Sequence, residues 1–378
     1  MNSSYEKEYN LSRNTVFLIN SFGGGGAERA LSKILQDPVI NDGSLTLVTL
    51  DHAEFAYKIP NNIKHVCLNT NGSFIKSVFK LVKYFKANQP GQVMSFLARA
   101  NCCNVIAGKL LNFKTIISER TYTSSYYNNS ISGQLFKFLI RALYPKADKI
   151  VAVSKGVAQD LEVNFSVNSE KITVLYNCYI NQEIIDASNE EVVDNLPSKF
   201  IVAVGRLQKV KNFSMLIEAY SKVATSHKLV LLGDGPELNH LKNIARINKV
   251  EDKVVFYGHA TNPYSIVSKS SLFVLSSNTE GFPNALAEAM VLSKPIVATN
   301  CMSGPSEILE GEVTLDFENV FEAKYGFLTP VDDAISMSKA ITKMLKEENL
   351  NKFKSLSYMR SQDFSQQVFF EKLTKILD

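Results

Sequence analysis

The most constraining feature of this chain is a recurring unit: a short apolar run, a polar or glycine-bearing turn, then a stretch with helical periodicity. Strand-like runs fall at residues 14–20, 45–50, 64–68, 92–96, 115–118, 149–153 and 171–176, and again at 200–204, 228–232, 253–257, 272–275 and 295–299. This alternation predicts α/β architecture with parallel, doubly wound sheets. A chain of 378 residues is long enough for two such domains. The polar, acidic stretch 181–199 interrupts the pattern, and Pro197 precedes a new strand. The expectation is a first domain over 1–185, a linker over 186–199, a second domain over 200–356 and a terminal helix over 357–378. Two similar sheets make the crevice between them the default ligand site.

In the second half, four strand ends carry chemistry at one sheet edge. The first holds Gly205 and Arg206, then Lys211 and Asn212. A guanidinium fork and an ammonium point charge suit a diphosphate, and the glycine permits close approach. The second holds Gly233, Asp234 and Gly235, and the third Gly258 and His259. The fourth runs through Glu280, Gly281, Phe282, Pro283, Asn284, Ala285 and Leu286 to Glu288. Pro283 suits a helix start, where its missing N–H has no intrahelical partner to lose. Two carboxylates there accept hydrogen bonds from a ligand rich in hydroxyls; the plainer reading is an acidic first turn favoured by the helix dipole.

In the first half, the strand at 14–20 runs into Gly23, Gly24, Gly25 and Gly26 before a helical pattern. Such a loop lets backbone N–H groups approach an anion at a helix start. It fits a dinucleotide fingerprint poorly, since the third glycine of GxGxxG is missing and Asp51 is a weak ribose ligand. Residues 74–86 read as an amphipathic surface helix with a solvated lysine face. The segment 118–144 sets Lys137, Arg141 and Lys146 beside Tyr126, Tyr127, Phe136 and Phe138, as an ordinary half-buried helix or a lipid-facing surface does.

A net charge of +4 allows an anionic ligand or membrane surface and is too small to argue for nucleic acid. The five cysteines show no metal-ligand spacing and read as reduced thiols of a cytosolic protein. The polar start lacks the apolar core of a signal peptide, and no apolar run has transmembrane length.

Taken together, Gly205-Arg206-Leu207 with Lys211-Asn212, Gly233-Asp234-Gly235-Pro236-Glu237, the Glu280–Met290 turn, Ser303-Gly304-Pro305 and Gly25-Gly26-Ala27-Glu28-Arg29 resemble the retaining glycosyltransferases of family 4. The resemblance implies the GT-B fold: two Rossmann-like domains facing across a cleft, with the C-terminal helix crossing back to the first. It implies a metal-independent hexosyltransferase without a cofactor, using a nucleotide-diphosphate sugar, with a UDP-sugar as the expected donor. Arg206, Lys211 and Glu280 are then catalytic. Gly24, Gly25, Gly205, Gly233 and the span Gly281, Phe282, Pro283, Asn284, Ala285, Leu286 and Glu288 line the donor, with Glu288 on the ribose and Glu280 on the sugar. Gly26, Glu119 and Arg120 stand on the acceptor side. The wording is most similar to bacterial enzymes of surface polysaccharide synthesis (O-antigen, capsule or lipopolysaccharide). Undecaprenyl-diphosphate-linked or lipopolysaccharide-type acceptors follow, with peripheral contact to an anionic membrane at the inner face of the plasma membrane. Two departures stand out: Arg120 occupies a position where many members have His, and the connection over 309–325 is long. An epimerase of the same fold and a non-catalytic sugar-nucleotide-binding protein are the alternatives.

Overall fold

The computed structural model describes residues 14–378 apart from 39, 42–44, 55, 128–129, 192–195 and 314–315. The polar start over 1–13, residues 192–195 of the expected linker and 314–315 of the long connection therefore lie outside the described residues. The chain forms two compact units, residues 1–178 with 367–378, and residues 179–366.

Among the described residues the first unit holds seven strands: β1 (Thr15–Ile19), β2 (Thr46–Thr49), β3 (Lys64–Cys67), β4 (Gln92–Phe96), β5 (Lys114–Glu119), β6 (Lys149–Ala152) and β7 (Ile172–Val174). They form one sheet in the order β3-β2-β1-β4-β5-β6-β7, parallel throughout. The TVFLI run of β1 is buried at every position, as a central strand covered on both faces must be. Its alternate residues supply two cores. Phe17 and Ile19 meet Leu31, Ile34 and Leu35 of the helix Gly26–Gln36. Val16 and Leu18 meet Leu81 and Phe85 of Phe74–Asn88 and Ala100, Cys103 and Ala107 of Ala98–Leu111. The final helix, Gln366–Leu377, adds Phe369, Phe370, Leu373, Ile376 and Leu377 to the first of these cores. Gln92 Nε2 and Lys149 Nζ donate to its last carbonyls, Leu377 O at 2.8 Å and Ile376 O at 2.9 Å.

The second unit holds β8 (Phe200–Val204), β9 (Lys228–Leu232), β10 (Val254–Gly258), β11 (Leu272–Leu275), β12 (Ile296–Thr299), β13 (Phe321–Ala323) and β14 (Gly326–Thr329). Their order is β10-β9-β8-β11-β12-β14-β13. Among the described residues only β13 runs antiparallel; it ends the long connection after Leu309 and pairs with β14 just beyond it as a hairpin. Residues 357–378 are not one helix. Glu347–Ser361 ends in a 3-10 turn at Gln362–Phe364 before Gln366–Leu377 begins. The helix Asn181–Ser188 packs on Pro263–Val267 and stands with the second unit, as does Glu347–Ser361.

In each sheet the strand order reverses at one place, between β1 and β4 and between β8 and β11. The carboxyl ends of strands at such a switch point open a crevice for ligands. That rule singles out the turns after β1, β4, β8 and β11.

Candidate functional site

In the second unit the turns after β8 and β11 are tied together. Ser276 Oγ donates to Lys211 O at 2.7 Å, and Asn278 N donates to Val210 O at 2.8 Å. With the backbones joined, the Lys211 ammonium reaches Glu280 Oε1 at 2.5 Å. Ser277 Oγ donates to the same oxygen at 2.7 Å. Both partners are half-shielded, at 26% and 12% side-chain exposure, so the pair is screened less than a surface ion pair. Arg206, on the same turn as Lys211, is exposed and makes no side-chain hydrogen bond or ion pair among the described residues. Glu288 lies one turn into the helix Asn284–Val291 and is 8% exposed.

The turn after β9 packs its backbone directly onto the turn after β8. Gly233 has φ +144°, and a Cβ there would fall 2.1 Å from Gly205 O, so only glycine fits. Leu207 N donates to Asp234 O at 2.9 Å and Gly233 N to Gly258 O at 2.8 Å, extending the link to β10. The turn after β11 is braced from its far side: Ser303 Oγ donates to Gly281 O at 2.7 Å and Thr299 Oγ1 to Ser277 O at 2.6 Å. Phe282, Pro283 and Leu286 turn their side chains into the protein, whereas Gly281, Asn284 and Ala285 stay half-exposed. One sheet edge thus combines an exposed guanidinium, an ammonium–carboxylate pair and a second, buried carboxylate. Cations there attract an anionic ligand, and the carboxylates accept from hydroxyls.

The first unit brings its own set to the corresponding edge. Gly25 caps the helix Gly26–Gln36, and the Glu28 carboxylate folds back over it, with Oε2 placed 2.2 Å from where a Cβ of residue 25 would sit. Burial raises the Glu28 pKa against an opposing backbone hydrogen bond. Glu119 at the end of β5 is 2% exposed. Its carboxylate accepts from Arg120 N (3.0 Å), Thr121 N (3.1 Å), Thr121 Oγ1 (2.7 Å) and Tyr144 OH (2.7 Å). Burial raises the pKa of both Glu119 and Tyr144. Arg120, held by this turn, donates to Asn177 Oδ1. Asp51, weighed above as a ribose ligand, is instead engaged by Arg99, Thr70 and Gly72. Burial opposes its ionisation, yet these hydrogen bonds hold its carboxyl below the usual range.

Helices on the same unit carry exposed apolar side chains. Along Ile131–Leu143, Ile131 is 91%, Leu135 56% and Phe138 67% exposed. Gly133 and Ile140 face inward, and Tyr127 stacks on Phe136 with ring centroids 5.5 Å apart. On Phe74–Asn88, Ile75 and Phe79 are exposed among Lys76, Lys80 and Lys83, so its outer face is not purely a solvated lysine face. Both helices contact Ala98–Leu111.

Residues 184–359 match the family described as glycosyl transferases group 1, and residues 25–179 match glycosyltransferase family 4. The N-acetylgalactosamine-N,N'-diacetylbacillosaminyl-diphospho-undecaprenol 4-alpha-N-acetylgalactosaminyltransferase of Campylobacter jejuni is 32% identical over 358 residues, covering 92% of this chain and 94% of that protein. This chain belongs to glycosyltransferase family 4. A second C. jejuni relative of the transferase is a GalNAc-alpha-(1->4)-GalNAc-alpha-(1->3)-diNAcBac-PP-undecaprenol alpha-1,4-N-acetyl-D-galactosaminyltransferase. It is 25% identical, over 89% of this chain and 90% of its own. Among solved structures, Anabaena HepE in complex with UDP superimposes with a TM-score of 0.77 at 18% identity, covering 96% of the transferase and 99% of HepE. That likeness establishes the two-domain GT-B fold.

Of the sequence-derived residues, the structure joins Lys211 to Glu280 and keeps Arg206 on the adjoining turn. Gly24, Gly25, Gly26, Glu119 and Arg120 lie in the first unit and the others in the second. Sequence reading missed Ser277 and Tyr179. Ser277, three residues before Glu280, was visible as part of a polar SSNTEG run. Tyr179 reaches Asn284 from 105 residues away, and nothing local marks it.

Proposed function

We propose that this transferase moves a hexosyl group from a UDP-sugar to a glycan carried on undecaprenyl diphosphate, with retention of configuration and without a metal ion. The observation that carries the reading is the Lys211–Glu280 pair beside exposed Arg206 at the β8/β11 switch point. Breaking a sugar–phosphate bond leaves negative charge on the departing diphosphate. Fixed cations stabilise that charge more in the transition state than in the ground state, the role a divalent ion fills in metal-dependent enzymes. Arg206 and Lys211 take the diphosphate, Glu288 the ribose hydroxyls and Glu280 the hydroxyls of the sugar. Gly205 and Gly233 keep the backbone close, and the 281–286 turn lines the donor through its backbone and half-exposed side chains. No enzymic nucleophile is invoked; the acceptor attacks from the leaving-group face and a phosphate oxygen takes its proton. Gly24, Gly25 and Gly26 offer N–H groups, and Arg120, oriented by the Glu119 turn, addresses an anion on the acceptor.

The names of both C. jejuni relatives specify an undecaprenol-linked acceptor and an alpha linkage, which a retaining enzyme forms from an alpha-linked donor. The HepE complex supports UDP as the nucleotide. Among the described residues no helix is long and apolar enough to cross a membrane. Ile131, Leu135 and Phe138, with Lys137 on the same helix, and Ile75 and Phe79 among lysines have the mixed character that seats a protein on anionic lipid. The enzyme then works from the inner face of the plasma membrane.

The test is turnover of a UDP-sugar panel with undecaprenyl-diphosphate glycans in the presence of EDTA, with mass spectrometry and anomeric NMR of the product. An alpha-linked product is expected. Free, altered sugar nucleotide without acceptor would instead identify an epimerase, and an inverted product or EDTA-abolished turnover would reject the mechanism.

A further inference from the structure

The chain passes from the first unit to the second between Cys178 and Tyr179 and returns between Gln366 and Gln367. The two passages run side by side: Tyr179 N donates to Phe364 O at 3.1 Å, and Tyr179 bridges in parallel to Ser365. From here Tyr179 reaches the turn after β11. Its ring stacks with Phe282 at 6.4 Å and 28°, and Phe282 meets Phe364 edge-on at 5.4 Å and 71°. Its hydroxyl donates to Asn284 Oδ1 at 2.6 Å.

Packing alone does not require this hydroxyl, because phenylalanine would fill the same stack. A phenol that is 2% exposed must find a partner, and it donates to the half-exposed amide at the first position of the helix Asn284–Val291. We propose that Tyr179 is a positioning residue for the donor turn: its hydroxyl fixes the Asn284 carboxamide so that the amide N–H2 half addresses the donor diphosphate, while its ring holds Phe282. The proposal rests on the reading that the 280–288 turn takes the donor. It makes a residue at the passage between units part of what shapes the nucleotide site.

The test measures UDP affinity by calorimetry, with separate donor and acceptor KM values and thermal unfolding, for Tyr179→Phe, Asn284→Ala and the double variant, alongside Arg206→Ala. Tyr179→Phe is expected to raise the UDP Kd and the donor KM about five- to tenfold, the worth of one well-made hydrogen bond. Acceptor KM stays unchanged, and kcat at saturating donor falls by less than the donor KM rises, because most of the hydrogen bond's worth is already present in the ground state. A merely structural tyrosine would lower the unfolding temperature without moving the donor KM. Asn284→Ala leaves the aromatic stack whole and is expected to weaken UDP similarly, with the double variant no weaker than Asn284→Ala alone. Wild-type UDP affinity in either single variant, or additive effects in the double, overturns the proposal. If Arg206→Ala loses UDP while Tyr179→Phe does not, only the positioning role falls. If Arg206→Ala also binds UDP normally, the donor-site reading itself falls.

Discussion

Separating the Lys211–Glu280 pair by Lys211→Met, Glu280→Gln and the double variant tests the centre of the proposed chemistry. At an effective dielectric near 20, two charges in contact attract by about 4 kcal/mol. Desolvating both, at 26% and 12% exposure, takes back roughly half or more, leaving a coupling of about 1–2 kcal/mol. Each single variant leaves the other charge half-buried and is expected to cost about 2 kcal/mol, or roughly 4–8 °C in the unfolding of a unit this size. With that coupling the double variant should cost about 2–3 kcal/mol, clearly less than the sum of the two single ones. Catalysis separates the partners. Lys211→Met should lower kcat by about 10²–10³, since it removes a cation aimed at charge that develops in the transition state. Glu280→Gln should lower kcat/KM by about 10–100, the worth of charge-assisted hydrogen bonds to the sugar. The assay is UDP release with a lipid-linked acceptor, set beside denaturant unfolding of the same preparations. Additive unfolding energies, or a Lys211→Met enzyme with kcat near wild type, would refute the reasoning.

Arg206→Ala should weaken UDP binding by about tenfold or more, read by calorimetry, with the unfolding temperature unmoved, because the exposed side chain has no hydrogen-bond or ion-pair partner among the described residues. Gly233→Ala, whose Cβ would collide with Gly205 O, should destabilise the second unit by roughly 2–4 kcal/mol in denaturant unfolding. Replacing Ile131 and Phe138 with serine should reduce sedimentation with anionic vesicles by roughly 10² or more while leaving thermal stability intact, since both side chains point to solvent. Asp51, whose folded pKa lies below its unfolded one, contributes stability above the unfolded value that is lost as pH falls through the folded value. Asp51→Asn should therefore be less stable than wild type at pH 6, with the gap narrowing in acid; a gap constant across a pH 2–6 denaturant series would contradict this.

Twelve strands, β1 to β12, were legible because most are short apolar runs ended by a turn, and a buried parallel strand has no polar face to obscure it. The β13–β14 hairpin was not, since strands of three and four residues are too short to show a period. Periodicity exposed a stripe on 131–143 but not its direction. Ile131, Leu135 and Phe138 turned outward because Gly133 and Ile140 made the closer-packing side. Lys211 and Glu280 were each legible as site residues because both sit in turns after strands, but their ion pair was not, since nothing in the sequence sets β8 beside β11. Nor was the Glu28 carboxylate lying over Gly25, because a side chain's choice between ligand and backbone is settled only by burial.

The residence of Phe369, Phe370, Leu373, Ile376 and Leu377 in the core of the opposite half carries a consequence for biogenesis. Burying five such side chains is worth roughly 8–15 kcal/mol as an upper figure, comparable to the whole stability of a domain. These residues are synthesised after everything in 179–366, so the half made earliest waits, incomplete, while the other is translated. A nonsense mutation just beyond Phe364 would spare the second unit and unravel the first.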